Sequence, residues 1–265
     1  MARYTHGHHE AVLRSHAVRT AEDSAAYLLP HLRPGMALLD VGSGPGTITA
    51  DLAALVAPGE VTALEPTREA LALAERTAAE RGAGNMRFDT GDVHSLPHPD
   101  GRFDVVHAHQ VLQHVHDPVL ALREMRRVRT ADGVVAARDA DYAAMTWYPE
   151  IPALDEWLSV YRRTARHNGG EPDAGRRLLS WARKAGFTDI TASASVWCYA
   201  TAEDRAWWGG LWADRILESA IAGQAVSYGY ATRADLKRIS EGWREWSEAP
   251  DGWFSVLHGE ILCRG

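Results

Sequence analysis

Short unbroken apolar runs alternate with longer amphipathic stretches along the first half of the chain. Residues 38–41, 60–64, 86–89, 102–108 and 134–138 read as five buried strands, because each run is brief, apolar and bounded by turn residues. Between them residues 47–56 form a helix stopped by Pro58-Gly59, and residues 68–81 an Ala-rich helix ended by Gly82. Asp117-Pro118 caps a further helix that runs to about Val128, and Asp132-Gly133 turns the chain into the fifth strand. Strands separated by helices of this length imply right-handed crossovers and a parallel sheet.

The pattern changes after Asp139. Residues 141–152 read as an irregular aromatic connection, and residues 153–168 as an amphipathic helix through Leu154, Trp157, Leu158 and Tyr161. Residues 173–185 make another helix, stopped by Gly186. Residues 188–199 and 253–263 alternate as a sixth and a seventh strand, with helical stretches at 202–221 and 232–247 between them. At the other end, residues 10–31 read as one or two helices, with Thr20 and Asp23 as a capping pair.

The densest signal is Asp40-Val41-Gly42-Ser43-Gly44-Pro45-Gly46-Thr47, a strand that ends in an acid and turns through three glycines into a helix. Such a turn lets a ligand approach the main chain, and the unpaired N–H groups of the following helix favour polar or anionic ligand groups. The third glycine falls one residue short of the G-x-G-x-x-G dinucleotide fingerprint, which counts against a nicotinamide dehydrogenase. Glu65 ends the second strand, and Gly91-Asp92-Val93 closes the third.

Together these stretches resemble the successive motifs of class I S-adenosylmethionine-dependent methyltransferases. Residues 91–106 are especially similar to the subgroup of the ubiquinone and menaquinone biosynthesis methyltransferases, and the resemblance spans roughly residues 34–138. It implies an α/β fold: a Rossmann-like, seven-stranded, mostly parallel sheet with helices on both faces and an antiparallel edge hairpin. It also implies a single domain over residues 1–265. Within it, 1–33 would be a helical cover, 34–140 the cofactor core, 141–186 a lid, and 187–265 the last two strands with an insertion at 201–248. The implied cofactor is S-adenosyl-L-methionine, held by Asp40, Gly42, Ser43, Gly44, Gly46, Glu65, Pro66, Gly91, Asp92, Val93 and His109, with Tyr4, His16 and Arg19 reaching it from the cover. Glu65 would accept the ribose hydroxyl protons, Asp92 the adenine amino group, and Arg19 would pair the cofactor's carboxylate.

Composition narrows the partners. The hydrophobic and charged fractions, 46% and 24%, are those of an ordinary soluble protein, and a formal charge of −7 speaks against a nucleic-acid footprint. Two cysteines, Cys198 and Cys263, are too few for a disulfide framework or a zinc site, and no apolar run suggests a signal peptide or a membrane span. A soluble cytoplasmic protein acting on a small molecule, with no membrane and no metal, is expected; its oligomeric state is open. The pairs His107/His109 and His114/His116 lack a partner at a recognised metal spacing.

All ten tryptophans lie from Trp147 onward, whereas eleven of thirteen histidines lie at or before His116. The expected reaction is transfer of the cofactor's methyl group to an O, N or C nucleophile, with His109 and Asp139 as candidate catalytic groups and Asp141 a further acid nearby. His114, Trp147, Tyr148 and Trp157 are candidates to bind the acceptor, with Trp207, Trp208 and Trp212 completing an apolar wall. A repurposed, non-catalytic cofactor-binding protein is the alternative.

Overall fold

The computed structural model describes residues 18–265. Five strands, β1 (Leu38–Val41), β2 (Val61–Glu65), β3 (Met86–Thr90), β4 (Phe103–His109) and β5 (Arg129–Ala140), pair in parallel in the order β3-β2-β1-β4-β5. The order reverses between β1 and β4, so the carboxyl ends of these two strands open a crevice.

Three further strands complete the sheet. A short one, β6 (Thr146–Tyr148), and β5 lie along one side of the long β8 (Trp253–Arg264), and β7 (Asp189–Tyr199) runs antiparallel along its other side. The antiparallel edge pair is therefore present, and β6 adds an eighth strand inside the stretch read from sequence as irregular. The fifth strand begins at Arg129, ahead of the expected turn at Asp132-Gly133. There the register between β4 and β5 shifts, so the turn residues form a bulge within a continuous strand.

Strand alternation divides the side chains between two cores. Leu38, Val105 and Ala136 pack under α1 (Ala21–Ser24), α2 (Thr47–Val56) and α3 (Arg68–Arg81). Leu39, Val106 and Ala137 pack under α4 (Pro118–Val128) and α6 (Leu178–Ala185), on the opposite face. The local signals for these helices hold: the Asp117 carboxylate accepts the Leu120 N–H at 2.8 Å, and Gly82 terminates α3 with φ 65°. Thr20 and Asp23 form the expected capping box, but α1 is a single turn. Pro30, which has no N–H to donate, lies instead in a 3-10 turn at Leu29–His31.

A third, aromatic core joins α5 (Pro152–His167), α7 (Ala202–Glu218), α8 (Ala220–Ser227) and α9 (Arg233–Glu248) to the start of β8. Its centre is Trp157, fully buried, with ring centroids 4.6 Å from Trp212 and 4.9 Å from Trp243. Among the described residues no helix is long and apolar enough to cross a membrane.

Candidate active site

A cavity of about 1000 Å³ opens over the carboxyl ends of β1, β2 and β4. That is at the upper end of the ~300–1,000 Å³ usual for small-molecule sites, room enough for two ligands side by side. Its floor is the glycine turn. Gly44 has φ 55°, and a Cβ added to it would meet nothing within 4 Å, so its backbone lies open to a ligand. Gly46, at φ 77°, does a different job: a Cβ there would sit 2.8 Å from the Ala74 backbone, so this glycine lets α3 pack against the turn.

Asp40 is buried beneath the turn, with both oxygens engaged. One accepts from His107 Nδ1 at 2.7 Å, the other from the Thr49 hydroxyl. The acid therefore ties β1 to β4 and to α2, and the His107 Nε2 is left without a hydrogen-bond partner in the described structure. Glu65, at the end of β2, accepts the Gly44 N–H at 2.5 Å. Burial raises its carboxyl to about 7, partly opposed by the Gly44 N–H and reinforced by Asp40. Asp92 accepts both the backbone N–H of His94, at 2.9 Å, and its ring Nδ1, at 2.6 Å; the backbone bond leads in holding its carboxyl below the usual range.

Of the residues expected to meet the cofactor, Arg19, Asp40, Gly42, Ser43, Gly44, Glu65, Pro66, Gly91, Asp92, Val93 and His109 all line this one cavity. Gly46 supports it from behind, and Tyr4 and His16 lie outside the described residues. Arg19 also lies over the Trp197 ring at 5.2 Å.

His109 lines the cavity at the end of β4, and among the described residues neither ring nitrogen has a hydrogen-bond partner. Burial, then Arg19 and Arg138, hold its pKa well below the ordinary 6.5, so the ring is neutral at pH 7. His114 also lines the cavity, and burial with Arg19 lowers it to about 4.

The expected substrate wall is present only in part. Trp157 is sealed in the aromatic core, Trp147 stacks on Phe254 with ring centroids 5.7 Å apart, and Tyr148 is exposed; none of the three lines the cavity. The reason is β6, which pairs this segment with β8 and turns it away from the crevice. Trp208 and Trp212 do line the cavity as expected, joined by Trp197, Ala140, Tyr142 and Met145, whereas Trp207 does not. Asp139 also stands behind the cavity surface: one oxygen accepts the Gln113 N–H at 3.1 Å, the other has no hydrogen-bond partner among the described residues, and burial raises the carboxyl to about 7. Asp141 is paired with Arg176 at 2.6 Å.

Among the cavity residues that escaped the sequence reading are Gln110 and Arg215. Gln110, the residue after His109, adopts φ 54°, rare for a residue with a side chain. Its N–H donates to the Arg138 carbonyl at 2.7 Å, and its side-chain amide donates to His258 Nε2 at 2.9 Å, while His258 Nδ1 donates to the Val256 carbonyl. Only its place at the end of a strand could have singled it out. Arg215 lies on α7. Among the described residues no group of three or more His, Cys, Asp or Glu side chains is arranged to hold a metal ion.

Known proteins agree with this architecture. Residues 32–189 match the family model described as a methyltransferase domain. An uncharacterized methyltransferase of Schizosaccharomyces pombe is 37% identical over 98% of this chain and 96% of its own length. The ubiquinone/menaquinone biosynthesis C-methyltransferase UbiE of Ectopseudomonas mendocina is 36% identical over 40% of this chain and 42% of its own. The crystal structure of YcgJ from Bacillus subtilis, 22% identical, superposes with a TM-score of 0.58 over 90% of this chain and 97% of that one. The chain belongs to the methyltransferase family, as a class I S-adenosylmethionine-dependent enzyme.

Proposed function

We propose that the protein binds S-adenosyl-L-methionine over the glycine turn and transfers its methyl group to an O, N or C nucleophile of a small molecule with a flat, apolar body. The observation that carries this reading is the division of one cavity into two chemically different ends. One end holds Gly44, Glu65 and Asp92, and the other is walled by Trp197, Trp208 and Trp212. The residues at the first end fit the cofactor: Glu65 offers carboxylate oxygens to ribose hydroxyls, Asp92 an acceptor to the adenine amino group, and Arg19 a fork for a carboxylate. When bound, this cofactor supplies an electrophilic sulfonium methyl. The chain itself then has to orient the acceptor and exclude water, effects worth roughly 7–11 kcal/mol in favourable cases.

His109, between the two ends, suits hydrogen bonding to the acceptor better than proton removal. An efficient general base has a pKa near the working pH, and burial beside two arginines places this ring well below that. Its two nitrogens can still fix an acceptor's hydroxyl or amino group. The tryptophan wall excludes water and favours a flat partner.

Calorimetric titration with S-adenosylmethionine, S-adenosylhomocysteine and NAD tests the first half of the reading. Binding of the first two and not the third is expected, and preference for NAD would overturn it. Incubation of the enzyme with a metabolite extract and methyl-labelled cofactor, followed by mass spectrometry, tests the second. A labelled small molecule is expected; tight cofactor binding with no labelled product would favour a protein that keeps the ligand without the transfer.

A further inference from the structure

Among the described residues Gln110 is the one with a side chain whose backbone enters the left-handed region, at φ 54°, and it does so on the wall of the cavity. A glycine takes that conformation without strain, and a residue with a side chain does not. Two bonds hold it there. The Gln110 N–H donates to the Arg138 carbonyl at 2.7 Å, carrying the pairing of β4 with β5 one residue past the end of β4. The side-chain amide reaches His258, on β8 and 148 residues away in sequence, at 2.9 Å.

His258 decides which way the amide points. Its Nδ1 lies 3.1 Å from the Val256 carbonyl, which can only accept, so Nδ1 carries the proton. The ring is fully buried, and burial with the charges of Arg138 and Arg19 holds its pKa well below the ordinary 6.5, so it is neutral at pH 7. Nε2 then has a lone pair and no proton, and only the NH2 arm of Gln110 can pair with it. The two arms of an amide have the same shape, and here the histidine tells them apart. His258 is not part of the cavity wall, so the NH2 arm is engaged behind it and the carbonyl arm is what Gln110 can offer a ligand. No group among the described residues donates to that oxygen.

We propose that the methyl acceptor bears an O–H or N–H group that donates to the Gln110 carbonyl oxygen, and that His258 is the positioning residue that keeps this oxygen turned to the cavity. A carbonyl oxygen can only accept, so it selects a molecule with a hydrogen to give; a similar molecule without one leaves the oxygen unpaired in a partly buried site. Without the Nε2 lone pair nothing holds the NH2 arm, and the amide can present either arm. This deepens the small-molecule reading above and rests on it, narrowing the acceptor to flat molecules that carry a hydroxyl or an N–H.

The probes 1-naphthol and 1-fluoronaphthalene share a ring body and carry groups of nearly the same size, and only the first has a hydrogen to donate. Equilibrium dialysis against protein saturated with S-adenosylhomocysteine measures both. The wild type should bind 1-naphthol about three- to tenfold more tightly, the scale of one hydrogen bond. Gln110→Met, unbranched and of similar length, should lose that preference. His258→Leu should lose most of it while leaving the affinity for 1-fluoronaphthalene unchanged, a split that general damage to the site would not produce. His258→Gln, whose carbonyl can still take the NH2 arm, should regain part. Equal affinity for the two probes in the wild type overturns the proposal, whether or not any variant folds. So does an unchanged preference in Gln110→Met, which would give the contact to His109, and an unchanged preference in His258→Leu removes the positioning role. Failure of the wild type to bind S-adenosylhomocysteine would instead sink the methyl-transfer reading itself, and calorimetry reports that separately.

Discussion

Glu65 offers the sharpest test of the cofactor end, because one substitution there predicts both an affinity and a pH profile. Glu65→Gln keeps the side chain's length and a carbonyl oxygen to accept the Gly44 N–H, which the carboxylate now accepts at 2.5 Å. It removes the charge that would receive two ribose hydroxyls. Hydrogen bonds to a charged group contribute about 1.5–3 kcal/mol, so the dissociation constant for S-adenosylhomocysteine should rise roughly 10- to 150-fold.

The pH dependence follows from the raised carboxyl. In the free protein burial holds Glu65 at about 7, well above its ordinary value, so below that pH the carboxyl is mostly protonated. Ligand hydroxyls favour the ionised form, and binding at lower pH must first expel the proton. Affinity should therefore fall about tenfold for each pH unit below 7, a loss of ~1.4 kcal/mol per unit, and level off above it. Calorimetry between pH 5.5 and 7.5, repeated in buffers of different ionisation enthalpy, measures the constant and the proton release together. A flat profile in the wild type would refute the argument. The same slope surviving in Glu65→Gln would move the titration to another group, and Asp139, also raised to about 7, would be the first to examine.

Other consequences separate roles that neighbouring residues share. Gly44→Ala meets no atom, so it should cost only about 1–2 kcal/mol of backbone strain at φ 55° while weakening S-adenosylhomocysteine, whereas Gly46→Ala, strained and also driven into Ala74, should lower the melting temperature further. Trp157→Ala should cost about 3–5 kcal/mol in chemical denaturation yet leave cofactor affinity unchanged, because the ring lies in the core and away from the cavity. Asp139→Asn keeps an acceptor for the Gln113 N–H and removes a buried charge. Because its carboxyl is raised in the fold, the folded protein holds a proton that the unfolded chain gives up between about pH 4 and 7, so stability is lost as pH rises through that window. The variant's melting advantage over the wild type should therefore widen from pH 5 to pH 7.5, and a difference that is the same at both would refute the assignment.

What the sequence made legible was local. Asp117 caps its helix with an oxygen three residues from the N–H it binds, Gly82 stops α3 at the residue where the backbone turns left-handed, and the alternation of β4 sets His107 and His109 on one face. Each is decided within a few residues, so periodicity and turn chemistry suffice to read it. The tryptophans could not be assigned that way. Along α7, Trp207, Trp208, Leu211, Trp212 and Ile216 leave the helix apolar on more than one side, so no single face is marked as inward. The choice is made by partners distant in sequence. Trp212 meets Trp243 of α9, Trp208 meets Phe254 of β8, and the pairing of Trp147 with Phe254 across β6 and β8 swings the 146–148 segment off the crevice. Arg215, which lines the cavity, is hidden for the same reason: until α7 is docked on β8, a lone arginine after a tryptophan is indistinguishable from a solvated one. Docking turns it inward at 4% exposure, a burial that no local pattern announces.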